Sequence, residues 1–454
     1  MSEKILLISA NQLCTPYPIY PIGISYLSTY LKTEFPDFEI KTFDINFGTL
    51  NDLGNLIDTL NPDYIGVSIR NIDGADSFNR NNFITGYEEI VQTVRTCSNR
   101  PLIIGGAGFS VYARKLFEIL NPDFAVKGEG EKALAELILC LKNKKDYSQI
   151  EGLLYRNAGG EIVMNPRNDY ERRLSVDFDS DLIDYYWRHS GMLNIQTKRG
   201  CYHKCIYCSY PLIEGRTVRT LNTEEIVDNL ERLWREKGID YIFFTDSIFN
   251  IASSKNRELA ELIIRRNLKI RWAAYFSPSN LTDEEMALYK RSGLSHIEFG
   301  TESFSDIQLK NYGKDFTFET ALRTSEMALK HNVFYAHFLI LGGYGETDQT
   351  LAETFENSKR LRYTVMFPFV GMRIYPGTEL QKYAVRDGFI SDDDDLIIPK
   401  FYISPNFNQD TLKEKAKATG KAWVFTDDIS EEAMQEFRIK RKKKGLIWEY
   451  LRMP

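Results

Sequence analysis

The first 145 or so residues alternate short runs of β-forming residues with stretches whose apolar positions recur every three to four residues. The runs at 5–9, 38–43, 64–69, 101–105 and 124–127 predict strands, and those at 22–32, 53–60, 87–96 and 113–120 predict helices between them. This alternation predicts a parallel sheet with helices on both faces, a Rossmann-like doubly wound α/β domain over 1–145. Gly105, Gly106 and Gly108 follow the fourth run, and Gly128, Glu129 and Gly130 follow the fifth. In open sheets of this kind a ligand lies beyond the carboxyl ends of the strands, where backbone comes close to it only if side chains are absent. These glycines therefore predict a binding edge.

A polar passage over 146–190, containing Asn157-Ala158-Gly159-Gly160, reads as a hairpin and linker. A second series of strands and helices then begins. Its strands are predicted at 193–197, 241–245, 271–275, 296–300, 335–341 and 371–375, with helices at 224–237, 254–266, 283–292 and 318–331. Six such units over 191–385 predict a partial (β/α)6 barrel of the TIM type. Residues 386–454 are expected to form a small C-terminal helical region, and its place beyond the last barrel strand suggests a cover for the active site.

A chain of 454 residues exceeds what one core of about 250 to 300 residues sustains, in keeping with two main domains. The 57 basic and 63 acidic residues leave a net charge of −6, so no global field recruits nucleic acid or an anionic membrane. No apolar run is long enough for a membrane span, and the N-terminus turns polar too soon for a signal peptide. The expectation is a cytoplasmic protein whose partners are small. Of the six cysteines, three fall within eight positions, Cys201, Cys205 and Cys208.

These three lie in a loop directly after the first strand of the second series. Disulfides suit them poorly, because the composition is that of a cytosolic protein and an odd local number leaves one thiol over. A structural zinc, the basis of a reading as a ligand-binding module, wants four ligands in two pairs, and His203 as the fourth lies inside the same tight loop. Iron–sulfur ligation is the remaining chemistry for clustered thiolates, and three ligands to a four-iron cluster leave one iron open.

Cys-x-x-x-Cys-x-x-Cys with an aromatic residue before the last cysteine resembles the radical S-adenosylmethionine (SAM) superfamily. The resemblance implies that Cys201, Cys205 and Cys208 hold a [4Fe-4S] cluster whose open iron chelates SAM, with Tyr207 near the adenine. It points to Glu302, in the segment HIEFGTES, as a contact to the ribose, and to Gly343, in LGGYGE, as a close backbone approach to the adenosine. Many family members carry Gly-Gly-Glu after the second barrel strand, where this chain has Thr245, Asp246 and Ser247. There Asp246 either accepts a hydrogen bond from the SAM amino group or caps a helix. His203, His296 and His337 either touch substrate or satisfy hydrogen bonds of the core, and the scattered Cys14, Cys97 and Cys140 read as small buried hydrophobes.

A doubly wound domain ahead of such a barrel resembles the B12-binding class of radical SAM proteins. Common cobalamin modules carry Asp-x-His-x-x-Gly, whose histidine ligates cobalt from below, yet the first histidine of this chain is His189. The resemblance therefore implies a subset without the lower-ligand histidine, or a domain that has lost cobalamin. Arg70 and Asn71 stand where a neighbour of the corrin is expected, and Gly105, Gly106, Gly108, Gly128 and Glu129 are expected to line the nucleotide tail. A protonated arginine has no lone pair to offer cobalt. Together these features imply a cobalamin-dependent radical SAM methyltransferase served by an electron donor such as flavodoxin or ferredoxin. Its substrate would be a small molecule or a peptide; cyclisation or rearrangement without methyl transfer is the alternative outcome.

Overall fold

The computed structural model describes residues 2–14, 17–78, 81–172, 174–178, 180–428, 430, 436–437, 440 and 444–452. The chain divides into two compact units. The first comprises residues 1–74, 81–189 and 209–215, and the second comprises 75–80, 190–208 and 216–454.

The first unit is built on a seven-stranded sheet of β1 (Lys4–Ser9), β2 (Glu39–Asp44), β3 (Tyr64–Ser68), β4 (Leu102–Gly105), β5 (Phe124–Val126), β6 (Leu153–Arg156) and β7 (Ile162–Met164). Its order is β2-β1-β3-β4-β5-β6-β7. β1 to β5 run parallel, and β6 and β7 are antiparallel. The apolar residues of β1 are buried on both faces, as a parallel strand between helical layers requires. Ile5, Leu7 and Ile103 pack with Ile24, Leu31 and Leu137 from flanking helices. Helix Leu50–Leu60 begins at a capping box in which Thr49 and Asp52 satisfy each other's backbone N–H groups. The passage over 146–190 is not a free linker: its hairpin adds β6 and β7 to the sheet edge, and helix Ser180–Ser190 follows.

The second unit holds β8 (Leu193–Ile195), β9 (Lys198–Arg199), β10 (Arg219–Thr220), β11 (Tyr241–Phe244), β12 (Arg271–Phe276), β13 (Leu294–Glu302), β14 (Phe334–Leu341), β15 (Val365–Val370), β16 (Met372–Arg373), β17 (Phe401–Tyr402) and β18 (Ala422–Trp423). Seven of them form a parallel sheet in the order β8-β11-β12-β13-β14-β15-β18. Helices Thr223–Lys237, Ser253–Arg265, Asp283–Arg291 and Phe318–Lys330 fall within a residue or so of their predicted positions. The first opens on an Asn222 cap and closes on Gly238 in the left-handed region.

Three expectations need correction. The sixth barrel strand lies at Val365–Val370, before the predicted 371–375. Its Pro368 argues against a central strand, but β18 pairs only with Val365 and Met366, so at Pro368 the strand has a single neighbour. The C-terminal region is not simply helical, since β18 extends the barrel sheet. Nor does its end cover the cysteine side. Gly445 packs on Tyr241, Glu449 bonds His296 and Arg452 stacks on Phe334, and these partners lie at the amino-terminal ends of β11, β13 and β14. Residues 444–452 therefore close the opposite end of the barrel.

Candidate functional site

The cysteine loop follows β9 and is held by backbone. Ile206 N–H donates to Tyr312 O at 3.2 Å, Leu380 N–H to Ile206 O at 2.9 Å, and Cys208 N–H to Cys205 O at 3.3 Å. Gly313 has φ +77°, and a Cβ there would lie 2.6 Å from Lys204 O, so only glycine lets the two loops approach. All three cysteines are free thiols, with Cys201 buried and Cys205 and Cys208 half-buried.

One cation organises this loop. Lys314 Nζ donates to Glu302 Oε1 and to Gly300 O, each at 3.1 Å, and lies 5.7 Å from the ring centroid of Tyr207. Burial alone would depress the Lys314 ammonium, but Glu302, Cys205 and Cys208 hold it above its ordinary value. Burial raises the Cys201 thiol and Cys205 adds to this, while the His203 backbone, a Ser247 hydrogen bond and Lys314 act against it. Tyr207 O–H donates to the same Glu302 Oε1 at 2.8 Å, and burial, then the Glu302 charge, pushes its phenol well up. Three thiols, a phenol and a carboxylate thus share the field of one lysine.

Glu302 reaches this position by a backbone distortion. The register between β13 and β14 slips between Gly300 and Glu302, and Glu302 adopts φ +69°. A non-glycine residue held in that region costs about 1–3 kcal/mol, and bulges of this kind re-aim side chains at strand ends.

The other barrel positions fare differently. Asp246 is fully buried and caps no helix. Its Oδ1 accepts from Thr197 N–H at 2.7 Å and Lys198 N–H at 3.1 Å, and its Oδ2 accepts from Thr197 Oγ1 at 2.5 Å and Lys198 Nζ at 2.6 Å. A carboxylate offers about four lone-pair sites, so none is left for an incoming ammonium group. Asp246 instead fixes the chain that leads into the cysteine loop. At Gly343 a Cβ would lie 2.4 Å from Tyr312 Oη, so a tyrosine of the protein already explains this glycine. Glu346, which the sequence reading passed over, clamps the same turn: Gly342 N–H donates to Oε2 at 3.2 Å and Thr350 Oγ1 to Oε1 at 2.7 Å. Burial pushes its carboxyl up to about 7.

Two histidines are core residues. His296 bonds Tyr241, Ser295 and Glu449, and His337 lies between Thr301 and Ser325. His203 Nδ1 faces Asp315 at 3.5 Å. Among the described residues, no three His, Cys, Asp or Glu side chains are gathered for one metal ion. A four-iron cluster asks for less, because it spreads its thiolates over separate irons. Cys14, Cys97 and Cys140 are half-buried rather than buried, and Cys14 Sγ donates to Asn46 Oδ1 at 3.2 Å.

In the first unit the order β2-β1-β3 puts the switch in connection direction between β1 and β3, the place where open α/β sheets bind ligands. The loop after β3 carries Arg70 and Asn71. Arg70 is exposed and has no hydrogen bond or ion pair with any described residue. The loop after β1 carries Asn11, buried, with Oδ1 lacking any partner. An unpaired cation and an orphaned acceptor on adjacent loops fit a polar ligand at this edge.

The glycines contribute by packing. A Cβ would lie 2.4 Å from Ile69 O at Gly106, 2.8 Å from Arg70 O at Gly108, 3.3 Å from Val126 O at Gly105, and 3.0 Å from Arg167 Nε at Gly128. Their missing side chains therefore admit protein backbone and Arg167, and the edge forms because three loops close on one another. Glu129 is buried and accepts from Glu171 N–H at 3.1 Å, which removes it from the expected lining.

Comparison with known proteins follows this division. Residues 8–138 match the B12 binding domain and residues 195–357 match the radical SAM superfamily. The chain is 24% identical to a tryptophan 2-C-methyltransferase of Streptomyces laurentii, over 83% of this chain and 74% of that one. It is also 24% identical to an uncharacterised methyltransferase of Pyrococcus horikoshii, over 95% and 94%. The fold matches that of TsrM from Kitasatospora setae, a radical SAM methyltransferase solved with cobalamin and a [4Fe-4S] cluster. That match has a TM-score of 0.87 and 22% identity, covering 99% of this chain and 97% of that one. The chain thus carries a B12 binding domain followed by a radical SAM domain.

Proposed function

We propose that the protein is a cobalamin-dependent radical SAM methyltransferase that moves a methyl group from SAM, by way of cobalamin, to a carbon of a small-molecule or peptide substrate. The observation that carries this reading is the convergence of Cys201, Cys205 and Cys208 on Lys314, beside Tyr207 and Glu302, in a chain that also has a B12-type sheet edge. When bound, the cluster and SAM supply electron-transfer and methyl-donor chemistry, and cobalamin carries the methyl group.

The protein's own part is binding and orientation. The three thiolates hold the cluster, and the buried backbone bonds of their loop keep them in register. Glu302, fixed by Lys314 and Tyr207, presents its second oxygen to the ribose, while Tyr207 flanks the adenine. Gly342 and Gly343 shape the turn beyond β14. Arg70, in the loop after β3, would be a cation beside bound cobalamin that has no lone pair to offer the metal. An electron donor such as flavodoxin or ferredoxin would supply the electron this chemistry needs.

Anaerobic reconstitution tests this reading. The expected result is broad iron–sulfur absorbance, retention of a corrin after desalting, and a product heavier by one CH2. Cys208→Ala should abolish both the absorbance and SAM cleavage. Cleavage of SAM with product mass unchanged would move the assignment to cyclisation or rearrangement, and a protein with neither absorbance nor cleavage would overturn it.

A further inference from the structure

Glu298 lies in the middle of β13, and its register partners on the same face are Tyr275 of β12 and Ala336 of β14. The alternate residues Leu339 and Leu341 of β14 pack into the core under the helices, so the face that carries Glu298 and Ala336 turns to the barrel interior. The same face carries Ala273, Gly300, Phe243, Phe338 and Phe367.

Ala273 and Ala336 beside the acid are fully buried, and the accessible part of this face lies next to them, where Gly300, Phe338 and Phe367 are half-buried and Tyr275 is exposed. Phe243 and Tyr275 meet edge to face at 4.9 Å, and Phe338 and Phe367 stack at 5.1 Å. Tyr275 is 38% exposed. From below, Trp448 Nε1 donates to Glu298 Oε1 at 3.0 Å.

Glu298 itself is only 3% exposed, yet its Oε2 has no partner among the described residues and is not sealed off by packing. A nearly buried carboxyl with one free oxygen costs free energy until a donor completes it. Burial drives its pKa up to about 7, and it forms no ion pair with any described residue. The group suited to that oxygen is a cationic N–H donor, and the part of a ligand suited to the walls is a flat apolar ring.

We propose that Glu298 is the anchor of the substrate chamber and that the substrate is a small aromatic amine, its ring between the Phe243–Tyr275 and Phe338–Phe367 walls and its ammonium group on Glu298 Oε2. This rests on the reading of the barrel as a SAM-dependent transferase, and it adds the chemical class of the substrate.

The test uses the reconstituted full chain labelled with 5-fluorotryptophan, which has five tryptophans and therefore five 19F lines. The Trp448 line is assigned with Trp448→Phe. Phenethylamine is the probe, and 2-phenylethanol is its uncharged counterpart. Phenethylamine should move the Trp448 line. Glu298→Gln, which keeps an acceptor for Trp448, should weaken phenethylamine binding roughly ten- to a hundredfold while leaving that of 2-phenylethanol within about twofold. A Trp448 line that stays still at saturating amine, or equal amine affinity in Glu298→Gln, overturns the proposal. Iron–sulfur absorbance and SAM cleavage, measured on the same preparation, report separately on the transferase reading.

Discussion

The two binding edges of this chain are made in opposite ways. At the carboxyl edge of β3, β4 and β5 the work is done by backbone: glycines let three loops close on one another, and Arg70 is left exposed with no hydrogen bond or ion pair to a described residue. At the corresponding edge of the barrel the work is done by side chains. Lys314, Glu302 and Tyr207 are drawn together with three thiols, and the backbone is distorted at Glu302 to permit it. A backbone edge leaves its few side chains free for a ligand, whereas a side-chain edge spends most of its polar groups on each other before any ligand arrives. Asp246, with four donors on its two oxygens, is the extreme case.

The contrast is sharpest in what substitutions should do. Lys314→Met leaves Glu302 buried with only the tyrosine as partner, and breaking a buried pair in this way costs about 3–5 kcal/mol. Denaturant unfolding should show that loss, and thiol titration should show the Cys201 pKa rising. An unchanged midpoint would mean that the lysine is not the organising charge. Gly106→Ala forces a left-handed φ of +103° and a Cβ against Ile69 O, for about 2–4 kcal/mol. Cobalamin retention should fall along with stability, and retention without any loss of stability would argue that the loops need not close.

Buried carboxyls give the next effect. Glu298 and Glu346 have pKa values raised to about 7 from 4.5, so the folded state binds more protons than the unfolded one between these values. Stability should therefore fall as pH rises from about 4.5 to 7 and then level off. Each group contributes up to about 3 kcal/mol at 1.36 kcal/mol per pKa unit. Glu298→Gln should remove its share of that slope, which melting curves across this range will read. The smallest effect is expected at Arg70, where Arg70→Ala should change stability by no more than about 0.5 kcal/mol. Its effect belongs in the cobalt absorption spectrum; identical spectra would take Arg70 away from the metal.

Legibility in the sequence follows the same division. The five parallel strands of the first unit were readable because apolar runs alternate with amphipathic helices, and each of the five starts within about one residue of its predicted position; β6 and β7 were legible only as a hairpin without strand bounds. Val365–Val370 was not readable, because Pro368 conceals a strand whose single neighbour at that point appears only once the sheet order is known. The cysteines announce themselves by spacing. Lys314 does not, since a lone lysine in Asn-Tyr-Gly-Lys-Asp carries no local pattern and its partners come from two other segments. The glycines stand at the strand ends, but the room they leave is taken by protein backbone and Arg167, which three-dimensional packing alone reveals.

The segment 444–452 under the amino-terminal ends of β11, β13 and β14 also has a consequence for biosynthesis. Trp448 donates to Glu298 and Glu449 bonds His296 within the second unit. A ribosome has therefore delivered every long strand of that sheet before the residues that satisfy its interior emerge. Until then the nascent barrel carries an open floor, with Glu298 lacking Trp448 and His296 lacking Glu449.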